Sequence, residues 1–322
     1  MDVKNKHVYV YSPSGAVRDK AAFKRGVRRL EQLGCDVEID PSALESCMRF
    51  AGDDDTRIAA IERAAQSKAD VALISRGGYG LTRLLGRIPY KTIDKAVERG
   101  TQFVGMSDFT ALQMALYAER STVTWAGPAL CEGFGPPVEP SVANSGPDEI
   151  MEACFEDLLW QRGEATGWRV STDSAKALET HTKDGECFAT NNRVLWGGNL
   201  SILVSLLGTS YFPNVRKGVL FLEDVGEHPY RIERMLTQLL HAGELSSQKA
   251  IVLGQFSEYK LTDHDRGFKL RSVVDWIRSQ TAVPVLDNFP YGHVPTKVLV
   301  PFGAKVDLVL KGRDALLAWG HI

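Results

Sequence analysis

Nowhere in the 322-residue chain do 18 apolar residues run without interruption, so the sequence offers no membrane-spanning helix. The N-terminal stretch "MDVKNKHVYVYSPSG" lacks the apolar core of a signal peptide, and the expected location is the cytoplasm. Cysteine is scarce. Cys35, Cys47, Cys131, Cys154 and Cys187 are odd in number, widely spaced and without a C-x-x-C pair, which argues against a disulfide framework and against structural zinc. They read as small buried hydrophobes. Net charge is nearly absent too: 38 Lys plus Arg stand against 40 Asp plus Glu, giving -2. No whole-protein field draws the chain to nucleic acid or to an anionic membrane, and a small, near-neutral partner fits best.

What is present is globular composition, 44% hydrophobic and 24% charged, in a chain long enough for two domains with cores of their own. The first half alternates β-rich runs with amphipathic ones: "HVYVYSPSG", "RDKAAFKRGVRRLEQLG", "CDVEID", "DDDTRIAAIERAAQS", "ADVALISRGGYG", "LTRLLGRI", "TQFVGMSD", "FTALQMALYAE". That rhythm predicts βαβ units on a largely parallel sheet, where ligands sit at the carboxyl ends of strands. "SPSGAV", "SRGGYG" and "GMSD" occupy such places. The Pro-, Gly- and Ser-rich "CEGFGPPVEPSVANSGPDE" reads as a connector or lid, followed by a helical run. From about residue 168 the texture becomes strand-rich, with helices at "LSILVSLLG" and "YRIERMLTQLLHAG". The expected organisation is an N-terminal α/β domain over 1–150, a connector over 151–167 and a strand-rich α/β domain over 168–322.

Ser107 ends the apolar run "FVGM" and opens the helical run "FTALQMALY". This resembles the strand-turn-helix of a nucleophile elbow, although Phe109 stands where G-x-S-x-G has its second glycine. A plain Ser N-cap fits the same place. A serine nucleophile needs a base and a carboxylate that fixes the base. Of the seven histidines, His7 and His321 lie near the termini, His181 and His264 in polar stretches, and His241 at a helix end; His228 and His293 remain. His293 sits in "DNFPYGHVPTK", a Gly- and Pro-bounded loop after the run "VPVL". For the carboxylate, "VLFLEDVGEHPYRIERML" offers Glu223 at the end of a strand, Asp224 on the opposite face if the strand persists, and Glu227 at the start of a helix. "SRGGYGLTRLL" is neither a P-loop nor a dinucleotide fingerprint, yet its glycines leave backbone N–H groups open to an anion.

Together, "SRGGYGLTRLL", "GMSDFTAL", "AGPAL", "LWGGNLSILVSLLGT", "LFLEDVGEHPYRIERML" and "YGHVPTKVLVPFGAKVDL" resemble the LD-carboxypeptidases, a family of serine peptidases, in order from near residue 10 to near 310. The resemblance implies a Rossmann-like parallel-sheet domain carrying the nucleophile Ser107, and a strand-rich domain carrying Glu223 and His293, with the active site at the domain interface. It implies removal of terminal D-alanine from murein tetrapeptide inside the cell, as peptidoglycan is recycled, by a protein that is often a homodimer. The expected chemistry is two-step acyl transfer needing neither metal nor organic cofactor. The backbone N–H groups of Asp108 and Gly78 are the expected oxyanion donors, and Arg76, Tyr79 and Arg231 are candidates for binding the substrate. The same family includes microcin-immunity hydrolases of peptidyl or aminoacyl adenylates. These need an aromatic surface for the adenine, for which Trp196 and Trp125 are available.

Overall fold

The structure, a computed structural model, describes residues 5–139, 141, 145–179 and 187–321. His181 and residues 140 and 142–144 of the Pro-rich segment lie outside the described residues. The chain divides into two compact units: residues 1–162 with 209–213 and 295–301, and residues 163–208 with 214–294 and 302–322.

The first unit alternates β1 (Lys6–Tyr11), α1 (Lys20–Gln32), β2 (Cys35–Ile39), α2 (Asp54–Gln66), β3 (Val71–Ile74), α3 (Tyr90–Glu98), β4 (Gln102–Gly105), α4 (Phe109–Arg120) and β5 (Thr124–Ala126), with α5 (Glu149–Leu159) after them. Asp19 begins α1 by accepting from Ala21 N and Ala22 N, both at 2.8 Å, and the helix buries Ala22, Phe23, Gly26 and Leu30. The strand "VALI" of β3 is buried throughout, as a parallel strand covered on both faces must be. Strands run in the order β2-β1-β3-β4-β5 with every one of these pairings parallel, and β11 (Val300–Phe302) joins beyond β5. Order reverses between β1 and β3, and crevices outside the carboxyl ends at such a point are where doubly wound sheets bind ligands.

The second unit contains β6 (Ala165–Arg169), α6 (Thr172–Glu179), β7 (Phe188–Asn199), α7 (Leu200–Ser205), β8 (Val219–Val225), α8 (Pro229–His241), β9 (Ala250–Ser257), α9 (Leu270–Gln280), β10 (Val285–Leu286), β12 (Lys305–Lys311) and β13 (Asp314–Ala318). Its sheet runs β10-β9-β8-β7-β12-β13-β6. The β10-β9-β8-β7 half is parallel and the remainder antiparallel. Side chains follow that division: β8 is buried along almost its whole length, whereas β12 alternates buried with exposed. The fold class is thus α/β with two sheets, parallel over β2-β1-β3-β4-β5 in the N-terminal unit and mixed in the C-terminal one.

Three local expectations differ. "LTRLLGRI" forms two 3₁₀ turns, Leu81–Arg83 and Leu85–Arg87, because Gly86 and Pro89 interrupt an α-helix, and α3 begins only after the proline. Within the stretch read as strand-rich from about residue 168, "KVLVPFGAKVDLVLK" is not one strand but is divided at Gly303 (φ 88°) into β11 and β12, which belong to different sheets. The cysteines are all free, but only Cys35 is fully buried and Cys187 is exposed.

Candidate active site

In the first unit the elbow sits between β4 and α4. Ser107 has φ 63°, a left-handed conformation that a non-glycine residue adopts at a cost of about 1–3 kcal/mol. Local folding overrides that preference: Met106 is buried, the Ser107 carbonyl accepts from Thr110 N at 2.9 Å, and the Phe109 ring packs against Gly105. A second glycine is therefore not needed at 109. Ser107 is not the N-cap of α4; Asp108 occupies that position, and no side chain caps the helix there. The serine side chain is partly exposed, beside the positive end of a three-turn helix.

Gly77 approaches the serine most closely in the glycine-rich loop. A Cβ there would lie 2.7 Å from Ser107 Cβ, 2.8 Å from Ser107 Oγ and 3.6 Å from Asp108 N. Glycine leaves that point open, next to both the hydroxyl and a backbone amide. Gly78, at φ 114°, faces Gly15 instead. The loop is stitched down by Gly15 N donating to the Gly77 carbonyl at 3.2 Å. With Ser107 as the nucleophile that the resemblance implies, Gly77→Ala is expected to retain the fold and lower kcat by about 100-fold, because displacing a reacting atom by about 1 Å costs that much. Steady-state kinetics beside a thermal melt checks this, and unchanged kcat would contradict the close approach.

The Asp108 carboxylate, which sequence reasoning used only for its backbone, is fully buried. It accepts from Ser14 Oγ and from Leu81 N at 2.9 Å, tying the loops after β1 and β3 to the elbow. Burial pushes its carboxyl above the ordinary range, opposed by these donors and by Arg57. Arg57 is itself buried, ion-paired with Asp54 and 4.7 Å from the Phe50 ring centroid.

In the second unit, Glu223 is fully buried on β8 and its Oε2 lies 2.7 Å from His293 Nδ1. A carboxylate only accepts, so Nδ1 carries the hydrogen and Nε2 is the basic nitrogen. The loop bearing His293 is zipped to β9: Gln255 N donates to the Tyr291 carbonyl (2.8 Å) and Ser257 Oγ to the His293 carbonyl (3.1 Å). Asp224 does not point away from Glu223. The β8–β9 register shifts between Leu222 and Asp224, and both carboxylates reach the Asn199 amide, at 3.1 Å (Glu223 Oε1) and 3.0 Å (Asp224 Oδ1). Asn199 carries the one available signal, an Asn directly before a helical run, because it caps α7 through Ile202 N. His228, the other histidine retained from the sequence, caps α8 and sits 3.2 Å from Asp265.

The expected substrate-binding residues are placed as follows. Arg76 donates to the Ala16 carbonyl at 3.1 Å and lies 3.6 Å from Glu132. Arg231, half-exposed, is 3.7 Å from Glu227. Tyr79 is exposed, 6.0 Å from the Phe50 ring and 5.6 Å from the guanidinium of Arg49, a residue the sequence did not single out. Trp196 and Trp125 are both core residues, Trp196 donating to Gln248 at 3.0 Å. Among the described residues no cluster of three or more His, Cys, Asp or Glu has metal-binding geometry.

The chain is similar to known proteins over most of its length. Residues 8–127 match the LD-carboxypeptidase N-terminal domain and residues 193–308 the LD-carboxypeptidase C-terminal domain. The "probable murein peptide carboxypeptidase" of Bacillus subtilis is 29% identical over 293 residues, 90% of this chain and 85% of that one. The crystal structure of muramoyltetrapeptide carboxypeptidase from Oxalobacter formigenes superposes with a TM-score of 0.80 at 32% identity, covering 98% of this chain and 99% of the other. The microcin C7 self-immunity protein of Escherichia coli is 25% identical over 249 residues, 70% of this chain and 68% of its own. Solved structures of that immunity protein share the fold, at 21% identity and a TM-score of 0.80. The two domain matches together span most of the chain, which belongs to the LD-carboxypeptidase family.

Proposed function

We propose that this protein is a serine LD-carboxypeptidase that hydrolyses the amide between the L-centre of the diamino acid and the terminal D-alanine of murein tetrapeptide. The observation that carries the reading is the 2.7 Å bond between a fully buried Glu223 and His293, because it gives the imidazole one defined tautomer. Ser107, held at φ 63° at the start of α4, is the nucleophile. His293 Nε2 takes the Ser107 proton as Oγ attacks the carbonyl, then hands it to the leaving D-alanine amine. Water, deprotonated by the same nitrogen, releases the acyl group and restores the serine. Glu223 stabilises the imidazolium in both halves. Backbone N–H groups of Asp108 and of the glycine loop, at Gly78 or its neighbour Gly77, stabilise the tetrahedral oxyanion, each worth roughly 3 kcal/mol of barrier. Arg76, Tyr79 and Arg231 remain proposed contacts of the peptide, with Tyr79 favoured by its exposure.

Family resemblance carries two further parts of the proposal: work inside the cell on recycled peptidoglycan, and a homodimeric state. A second reading, hydrolysis of an aminoacyl or peptidyl adenylate, is supported by the immunity-protein relatives. It is the weaker one, since Trp196 and Trp125, the two tryptophans weighed for stacking on adenine, are buried. Purified protein is expected to release D-alanine from murein tetrapeptide with kcat/KM at least ~10-fold above that for an aminoacyl sulfamoyl adenylate. Turnover of the adenylate with no release of D-alanine would replace the first reading by the second.

A further inference from the structure

We infer that Asp224 is a positioning residue of the reaction, holding Glu223 in its bond to His293 through the amide of Asn199. The inference rests on the Ser107-His293-Glu223 reading above.

Asn199 Nδ2 has two hydrogens and two carboxylate acceptors, Glu223 Oε1 at 3.1 Å and Asp224 Oδ1 at 3.0 Å. Its Oδ1 accepts from Ile202 N at 3.2 Å and Ser201 Oγ at 2.9 Å. A flipped amide would set its oxygen against both carboxylates, so one orientation is fixed. Asp224 is anchored in turn by Ser201 N on Oδ2 and by Val225 N on Oδ1, each at 2.9 Å. Two residues before Asn199, Gly197 lets β7 lie close against β8: it has φ 135°, and a Cβ there would come within 1.9 Å of the Phe221 carbonyl oxygen.

Two buried carboxylates side by side repel unless something holds them apart or neutralises one. Here the shared amide satisfies one oxygen of each. The groups around Asp224 are Glu223 on its own strand, Asn199 and Ser201 from β7 and α7, and Phe256 across on β9; beyond Glu223 lie His293 and the buried Tyr291. Burial, and then the Glu223 charge, push the Asp224 carboxyl up to about 6. Protonation of Asp224 below that pH removes an anionic acceptor from Asn199, so the grip on Glu223 slackens as the solution becomes acidic. Two groups then shape the acid limb of the rate profile: the base itself and Asp224.

The test combines proton NMR of the free protein with kinetics on murein tetrapeptide, in wild type, Asp224→Asn and Asn199→Ala. Wild type is expected to show a downfield resonance from the His293 Nδ1 hydrogen and an acid limb steeper than one proton. Asp224→Asn, which preserves side-chain volume, is expected to lower kcat about 10-fold with KM nearly unchanged, and to reduce the acid limb to a single-proton slope. Asn199→Ala is expected to lose or broaden the resonance. Folded variants that keep the wild-type resonance and the wild-type slope would overturn the inference. If wild type releases no D-alanine, yet the resonance is present there and lost in Asn199→Ala, the positioning role stands and only the proposed substrate falls.

Discussion

Ser107→Ala is expected to lower kcat for D-alanine release by roughly four to six orders of magnitude while leaving the fold intact. Removing the hydroxyl abolishes the acyl-enzyme route outright. What survives is the contribution of bound geometry and oxyanion donors to direct attack by water, which accounts for the residual rate. The substitution is mild structurally. The side chain makes no cap bond to α4, and alanine tolerates φ 63° about as poorly as serine does, so the melting temperature should move little. Circular dichroism establishes the fold and a coupled D-amino-acid assay the rate. Equal release by both proteins would remove Ser107 from the mechanism.

Glu223→Gln is expected to cost about 10⁴-fold in kcat with a much smaller change in KM. Glutamine matches glutamate in volume, so the packed environment of β8 survives. Its amide, however, presents either a donor or a neutral acceptor to His293 Nδ1, 2.7 Å away in the wild type. With a donor there, the hydrogen moves to Nε2 and the nitrogen that should accept the Ser107 proton is blocked; with a neutral acceptor, the imidazolium loses its counter-charge. Combining the substitution with Ser107→Ala should add almost nothing, since the residues act as one unit. Strict additivity would contradict a shared step.

The sequence made much of this legible where a single element decides the outcome. The βαβ rhythm predicts a parallel sheet, and "FVGM" running into "FTALQ" predicts a strand-turn-helix, because hydrophobic period and helix onset are local signals. Glu223 after four apolar residues is legible in the same way. Features fixed by contacts between distant segments were not. Gly77 faces Ser107 thirty residues away, and nothing in "SRGGYG" says which of its glycines does so. The Asp108 side chain is committed to Ser14 and Leu81, and Asp224 shares the Asn199 amide with Glu223 because of a register shift that alternation does not foresee. Helix α9 is hard to read from "LRSVVDWIRSQ", which pairs β-branched residues with a polar surface and buries only Val273 and Ile277. The 3₁₀ turns after "SRGGYG" follow from Gly86 and Pro89, whose interruption outweighs the apolar spacing around them.

Labelling with a serine-directed phosphonate, with the adduct mapped by mass spectrometry, decides whether Ser107 is a nucleophile activated by His293. A single adduct on Ser107, formed in step with loss of D-alanine release and nearly absent in His293→Ala, is the predicted result. Full occupancy at another residue, or labelling of Ser107 that leaves release of D-alanine unchanged, would contradict it.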